Sequence, residues 1–262
     1  MMQSVFTKTL YDLRWNILAF CLGLATLAFF VLYIYPSFSD ANEGLFEGLT
    51  GPAAQAILGS ENPGTPEGFL NVQLFSFVPL FLAIFLIIAA SATVAGEEGE
   101  KTLGVLMARP IARWRVLTEK ALAIVVGLAL ISLAMAAGAV AGALVADVDI
   151  DLALLAAALV AAIPWGLFVL GFGLFCSAVF KSRMWAALLA TGVVVAAYML
   201  NSLTEFVTSL VTYNQFLPMY YYSWGDPLIA PLNWLHVAIL TGSGLIFYLF
   251  ALLAFERREI TG

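Results

Sequence analysis

The stretch WNILAFCLGLATLAFFVLYIY, residues 15–35, holds no Asp, Glu, Lys or Arg. At about 1.5 Å of rise per residue, a helix of this length crosses roughly 30 Å of hydrocarbon. Trp15, Tyr33 and Tyr35 then fall at the two depths where aromatic side chains collect. Five further runs, at about 69–95, 121–146, 152–180, 184–203 and 234–255, share the same freedom from acidic and basic groups. Hydrophobic residues make up 63% of the chain and the mean hydropathy is +0.99, against the roughly 45–50% apolar content of a soluble domain. The fold class is therefore an all-α membrane protein with six transmembrane helices, and residues 1–262 read as one membrane domain with no soluble domain.

Charge fixes the expected orientation. Residues 1–14, 96–120, 181–183 and 256–262 hold all 11 basic residues, whereas 36–68, 147–151 and 204–233 hold none. Lys and Arg close to a span resist translocation, so both termini and the basic loops are expected in the cytoplasm and the acidic loops outside. The outer segments carry only acidic charge, which argues against a nucleic-acid partner there. Residues 2–14, MQSVFTKTLYDLR, set Met2, Val5, Phe6, Thr9, Leu10 and Leu13 on one helical face, the pattern of an N-terminal interfacial helix. The first run lacks a small-residue cleavage pattern behind it and is expected to remain as a span. Cys21 and Cys176, both inside runs, imply no disulfide framework and read as small apolar fillers.

Between the spans, the external loop 36–68 is rich in Gly and Pro, with one short helix expected around Pro52–Leu58. Gly138 and Gly142, four apart, permit close helix contact. The short turn DVDID, residues 147–151, makes spans three and four antiparallel neighbours. Pro164 removes one backbone hydrogen bond from span four, which leaves open a hinge or a static bend. The second external connection, 204–233, holds Tyr213, Phe216, Tyr220, Tyr221, Tyr222 and Trp224, which read as interfacial anchors.

The most informative loop is GEEGEKTLGVLMARPIARWRVLTEK, residues 96–120. Leu103, Leu106 and Met107 share one helical face, Glu97, Glu98 and Glu100 suit a helix N-terminus, and Pro110 breaks the helix. A short amphipathic helix with a tight break exceeds what topology requires, so a cytoplasmic partner is expected to dock there. This loop resembles that of the type-2 permeases of ATP-binding-cassette exporters. Glu98, Thr102-Leu103, Leu106, Pro110, Arg113 and Lys120 fall on the family pattern, with departures at Lys101, where Gly is usual, and Met107, where Leu is usual. The resemblance implies a permease paired with a second copy or a sister permease. It also implies two ATPase subunits that bind ATP and Mg, and a location in the cell membrane. Glu98, Thr102, Leu103, Leu106, Met107 and Arg109 are then the candidates for coupling to the ATPase. No Gly-x-x-x-x-Gly-Lys-Ser/Thr phosphate loop occurs, so the chain is not expected to cradle ATP itself or to need a cofactor of its own.

The same residues bear on two other classes. Glu97-Glu98 is similar to the paired glutamates of intramembrane CAAX-type proteases, but position 102 is Thr and the only histidine is His236. A di-Glu/His site that activates water, or a metal centre, cannot be assembled from that set, so no enzyme activity is expected. A secondary, ion- or proton-coupled transporter would show charge buried in mid-membrane. Glu205 is its one candidate, within a row with Asn201, Thr208 and Thr212 at helical spacing. Counting from Met184 places it at the outer interface, where Asn201 and Glu205 read as an exit vestibule. His236, one turn inside span six, reads as an interfacial or packing residue.

Overall fold

Hydrophobic periodicity alone leaves the ends of the elements open, and the computed structural model supplies them. It describes residues 4–41, 65–100, 111–204, 211–223 and 232–258. Among these, six helices are long and apolar enough to cross a membrane, and no strand occurs. They are α1 (Val5–Ala41), α2 (Pro66–Gly99), α3 (Arg113–Ala146), α4 (Leu152–Val179), α5 (Arg183–Leu203) and, after the short α6 (Val211–Asn214) and α7 (Pro218–Ser223), α8 (Trp234–Arg257). The expected helix around Pro52–Leu58 lies outside the described residues.

Side-chain caps explain three of the helix starts, those of α2, α4 and α8. Thr65 Oγ1 accepts the Gly68 N–H at 3.1 Å, with Pro66 at the first helical position. Asp151 accepts the N–H of Ala153 at 2.7 Å, and Asn233 that of Leu235 at 3.0 Å. Asp147 ends α3 at φ 54°, in the left-handed region that Asp tolerates better than most side chains. With the Asp151 cap directly behind it, the chain reverses within the short DVDID turn.

Two helices differ from the hydropathy reading at their ends. The amphipathic segment is helical but continuous with the first span, and α1 also runs on past Pro36. Its first turn is held to α3 by the Phe6 N–H, which donates to Glu119 Oε2 at 3.1 Å. The helix α3 begins at Arg113, taking in residues 113–120 that composition assigns to a loop. Polar side chains there point into protein contacts, so the helix continues where the apolar run has stopped.

Glycine sets the two tightest crossings. A Cβ on Gly138 would lie 2.1 Å from the Ala25 carbonyl oxygen, and one on Gly142 2.5 Å from that of Phe29, so α1 and α3 touch backbone to backbone. On the other side, a Cβ on Gly171 would lie 2.1 Å from the Gly244 oxygen and one on Gly244 2.6 Å from that of Leu167, which brings α4 and α8 equally close. Phe168 and Phe172 stack beside that second crossing and Phe247 meets both edge-on, with centroids 5.1–6.4 Å apart. Helix α2 runs through the middle against α4 and α5. Phe85 of α2 reaches the flat surface at Gly127, and the fully buried Trp165 donates its indole N–H to the Pro79 carbonyl at 3.0 Å.

Tyr222 departs from the reading of the external aromatics as surface anchors. It lies buried against Trp165 and donates its hydroxyl to the Phe75 carbonyl at 3.2 Å. Burial pushes that hydroxyl far above the usual phenol range, so it remains a donor at every ordinary pH. Tyr213 and Phe216 remain exposed, as anchors would be.

The glycine crossings give a direct test. Gly138→Leu is expected to lower stability in detergent by about 3 kcal/mol, because backbone rather than a flexible side chain stands in the way. Gly23→Leu, with nothing within 4 Å of the added Cβ, is expected to leave it unchanged. Equal thermal unfolding of both variants would show that the crossing carries no such constraint.

Candidate functional site

Polar groups on four helices converge at one end of the bundle, at the end of α2 and the start of α3. The starting point is a departure from α-helical geometry. Residues Ala92–Gly96 of α2 form a π-turn, a widened turn that often marks functional positions. Ser177 of α4 fits against it: its Oγ accepts the N–H groups of Val94 at 3.2 Å and Ala95 at 3.1 Å, and donates to the Ser91 carbonyl at 3.3 Å. Thr93 Oγ1 turns back to the Ala90 carbonyl at 2.6 Å. Directly after the π-turn come Glu97 and Glu98.

The two carboxylates address different neighbours. Glu97 Oε1 pairs with Lys120 Nζ of α3 at 2.6 Å, and the same ammonium donates to the Thr93 carbonyl at 2.7 Å. Lys120 is only 5% exposed. Glu98 pairs with Arg258, the residue just beyond α8. The Arg258 guanidinium also donates to the carbonyls of Ser177 at 3.1 Å, Ala178 at 2.5 Å and Phe180 at 2.9 Å. These are carbonyls that the end of α4 leaves without a partner in its own helix, and a cation suits that negative helix terminus.

Arg113 does the same for α8. Its Nη1 donates to the carbonyls of Phe255 at 3.0 Å, Glu256 at 3.1 Å and Arg258 at 2.7 Å. The hydroxyls of Thr118 and Tyr248 meet at 2.6 Å one turn further in. Each arginine thus closes the C-terminus of a helix other than its own. Arg258 spreads these contacts over both Nη1 and Nη2 of its planar guanidinium, whereas Arg113 makes all three through Nη1.

Of the candidates from the sequence, Glu98 sits inside this network. Thr102, Leu103, Leu106, Met107 and Arg109 lie outside the described residues, as does Glu205. Pro164 is buried inside α4, which continues through it as helix beside Trp165. Asn201 is in the last turn of α5, at the opposite end, where its carbonyl accepts the Thr204 hydroxyl at 2.6 Å and Asn214 donates to that hydroxyl at 3.2 Å. Glu98, Pro164 and Asn201 therefore mark three separate levels of the bundle. His236 packs against the rings of Tyr220 and Tyr221, with centroids 5.8 Å and 5.1 Å away.

Sequence reasoning did not single out Ser177, Arg258 or the pairing of Glu97 with Lys120. A faint signal existed for the charged members: Glu97, Lys120 and Arg258 stand at the ends of apolar runs, where an expected solvated group and a buried ion pair look identical. Ser177 carried none, being one small polar residue in an apolar run.

A family model described as ABC-2 family transporter protein matches residues 13–260. The match takes in nearly the whole chain, and the chain belongs to that family. It is a multi-pass, permease-type membrane component of an ABC transporter, and not itself the ATPase. No curated protein matches the chain.

The buried Glu97–Lys120 pair is open to a double-mutant cycle. Lys120→Met alone is expected to cost about 3 kcal/mol, by leaving the largely shielded Glu97 carboxylate without its cation, and adding Glu97→Leu is expected to recover most of it. The measurement is detergent unfolding of the singles and the double, and simple addition of the two losses would refute the coupling.

Proposed function

We propose that this chain is the membrane-spanning subunit of an exporter whose motive force comes from two separate cytoplasmic ATPase subunits. ATP and Mg bind on those partners. The permease pairs with a second copy or a sister permease in the cell membrane, and the substrate passes between the two. The end that carries Arg113, Lys120 and Arg258 faces the cytoplasm, as the basic segments of the sequence expect.

One observation carries this reading: Glu98, three residues before position 101, is fastened through Arg258 to α4 and α8, while its neighbour Glu97 is fastened to α3. A loop held only as a topological connection has no need of such a base. Displacement of the 101–110 segment by a partner would reach four helices at once. Thr102, Leu103, Leu106, Met107 and Arg109 supply the contact surface in this proposal, on the strength of their place in the sequence pattern. Pro164 supplies the bend about which the inner and outer halves of α4 change angle, and Asn201 with Glu205 line the outer exit.

The ion pairs that are described lie at this same end and not at mid-membrane, which favours an ATPase-driven path over ion coupling. Two measurements test the proposal. With Leu106→Asp, insertion is expected to be unchanged while recovery of the co-expressed ATPase on the tagged permease falls by about tenfold, as for loss of an apolar anchor. Undiminished recovery would count against the docking role. Pro164→Ala is expected to slow ATP turnover of the complex more than it lowers expression; equal turnover would leave a static bend. Uphill transport by the chain alone, without nucleotide, would establish the ion-coupled alternative instead.

A further inference from the structure

We infer that Arg258 is a positioning residue of the transport cycle, the link through which movement of the 101–110 segment enters α4. The inference rests on the proposal that an ATPase drives this chain.

The geometry separates this role from ordinary helix capping. A cap needs only the carbonyls of Ser177, Ala178 and Phe180. Arg258 adds the Glu98 carboxylate on the same Nη2 that serves Phe180, so one rigid plane joins the end of α2 to the end of α4. Such a fork transmits direction as well as charge, because its donors are fixed relative to each other. Arg258 is itself held from behind, its own carbonyl accepting from Arg113. Both partners of the pair are largely shielded, with side chains 7% and 10% exposed.

What moves Glu98 must therefore move the end of α4 or break the pair. A broken pair would leave two charges in a poorly solvated site, an outcome strongly disfavoured relative to moving together. From Ser177 to Pro164 is a lever of roughly 20 Å at the rise of an α-helix. The change of angle at Pro164 then shifts the outer half of α4, which begins at Leu152, relative to the end of α5. The second connection between α2 and α4, from Ser177 Oγ to the Val94 and Ala95 N–H groups, holds the helices side by side but lies behind the point where Glu98 is pulled.

The test uses the complex of this chain with its ATPase, in nanodiscs, with Mg-ATP and vanadate. Spin labels replace Leu152 and Leu203, both exposed at the end opposite Arg258, in a Cys21→Ala background. In the otherwise unaltered chain, trapping of nucleotide is expected to shift the distance between the labels. Arg258→Gln is expected to trap nucleotide as before while the shifted population falls by about tenfold, a size that coupling between sites commonly carries. Glu98→Gln, which leaves the carbonyl contacts of Arg258 in place, is expected to lose the shift to the same degree, and the double variant to lose no more. Should Arg258→Gln fail to assemble, Glu98→Gln decides alone.

A shift retained in Arg258→Gln or in Glu98→Gln overturns the inference and leaves the ATPase-driven reading intact. So does a complex of the unaltered chain whose ATPase traps nucleotide with no shift at all. A chain that neither binds the ATPase nor traps nucleotide brings down that reading, and this inference with it.

Discussion

A helix that stops at the edge of hydrocarbon leaves its last carbonyls with neither a helical partner nor abundant water, and something must donate to them. Arg113 and Arg258 meet that demand for α8 and α4. Because each arginine belongs to another part of the chain, satisfying the backbone also fixes which helix ends lie together. The arrangement of spans two, three, four and six at the basic end follows from this exchange of donors. Apolar packing alone would not specify it, since lipid competes on equal terms with Leu and Val.

Further into the membrane the ordering principle changes from charge to size. Gly138 and Gly142 join α1 to α3, and Gly171 and Gly244 join α4 to α8, each through contact of backbone with backbone. Between these two tight pairs the contacts are made by longer side chains, such as Phe85 against Gly127 and Leu128 against Gly166. The bundle thus has stiff pairs and softer seams. The ionic contacts at the basic end, Glu97 with Lys120 and Arg113 with the end of α8, cross the seam between the α1–α3 pair and the rest.

The six spans were legible in the sequence because each is a long run without charge, and hydrocarbon admits little else. Family membership was legible in the residues from Glu98 to Lys120. The helix ends were less so: Lys120 is buried although its residue type predicts solvent, and hydropathy cannot tell a lysine that faces Glu97 from one that faces water. The π-turns at Asn71–Phe75 and Ala92–Gly96 leave no mark in residue type, because they arise from the fit of α2 to its neighbours. Tyr222 escapes the sequence for a related reason. An aromatic near a span end suits the interface and the core equally, and the buried carbonyl of Phe75 at the other π-turn, which accepts the Tyr222 hydroxyl, decides between them.

The side-by-side placement of Glu97 and Glu98 has a mechanical corollary. Successive residues on a helix point about 100° apart, so the tip of α2 is tethered in two directions by two unlike cations. A twist of that tip in one sense slackens the lysine tether and tightens the arginine one, and the opposite twist does the reverse. The second span therefore ends in something like a balance beam, level only while both arms are loaded, and sensitive to the sign of a torque as well as to its size.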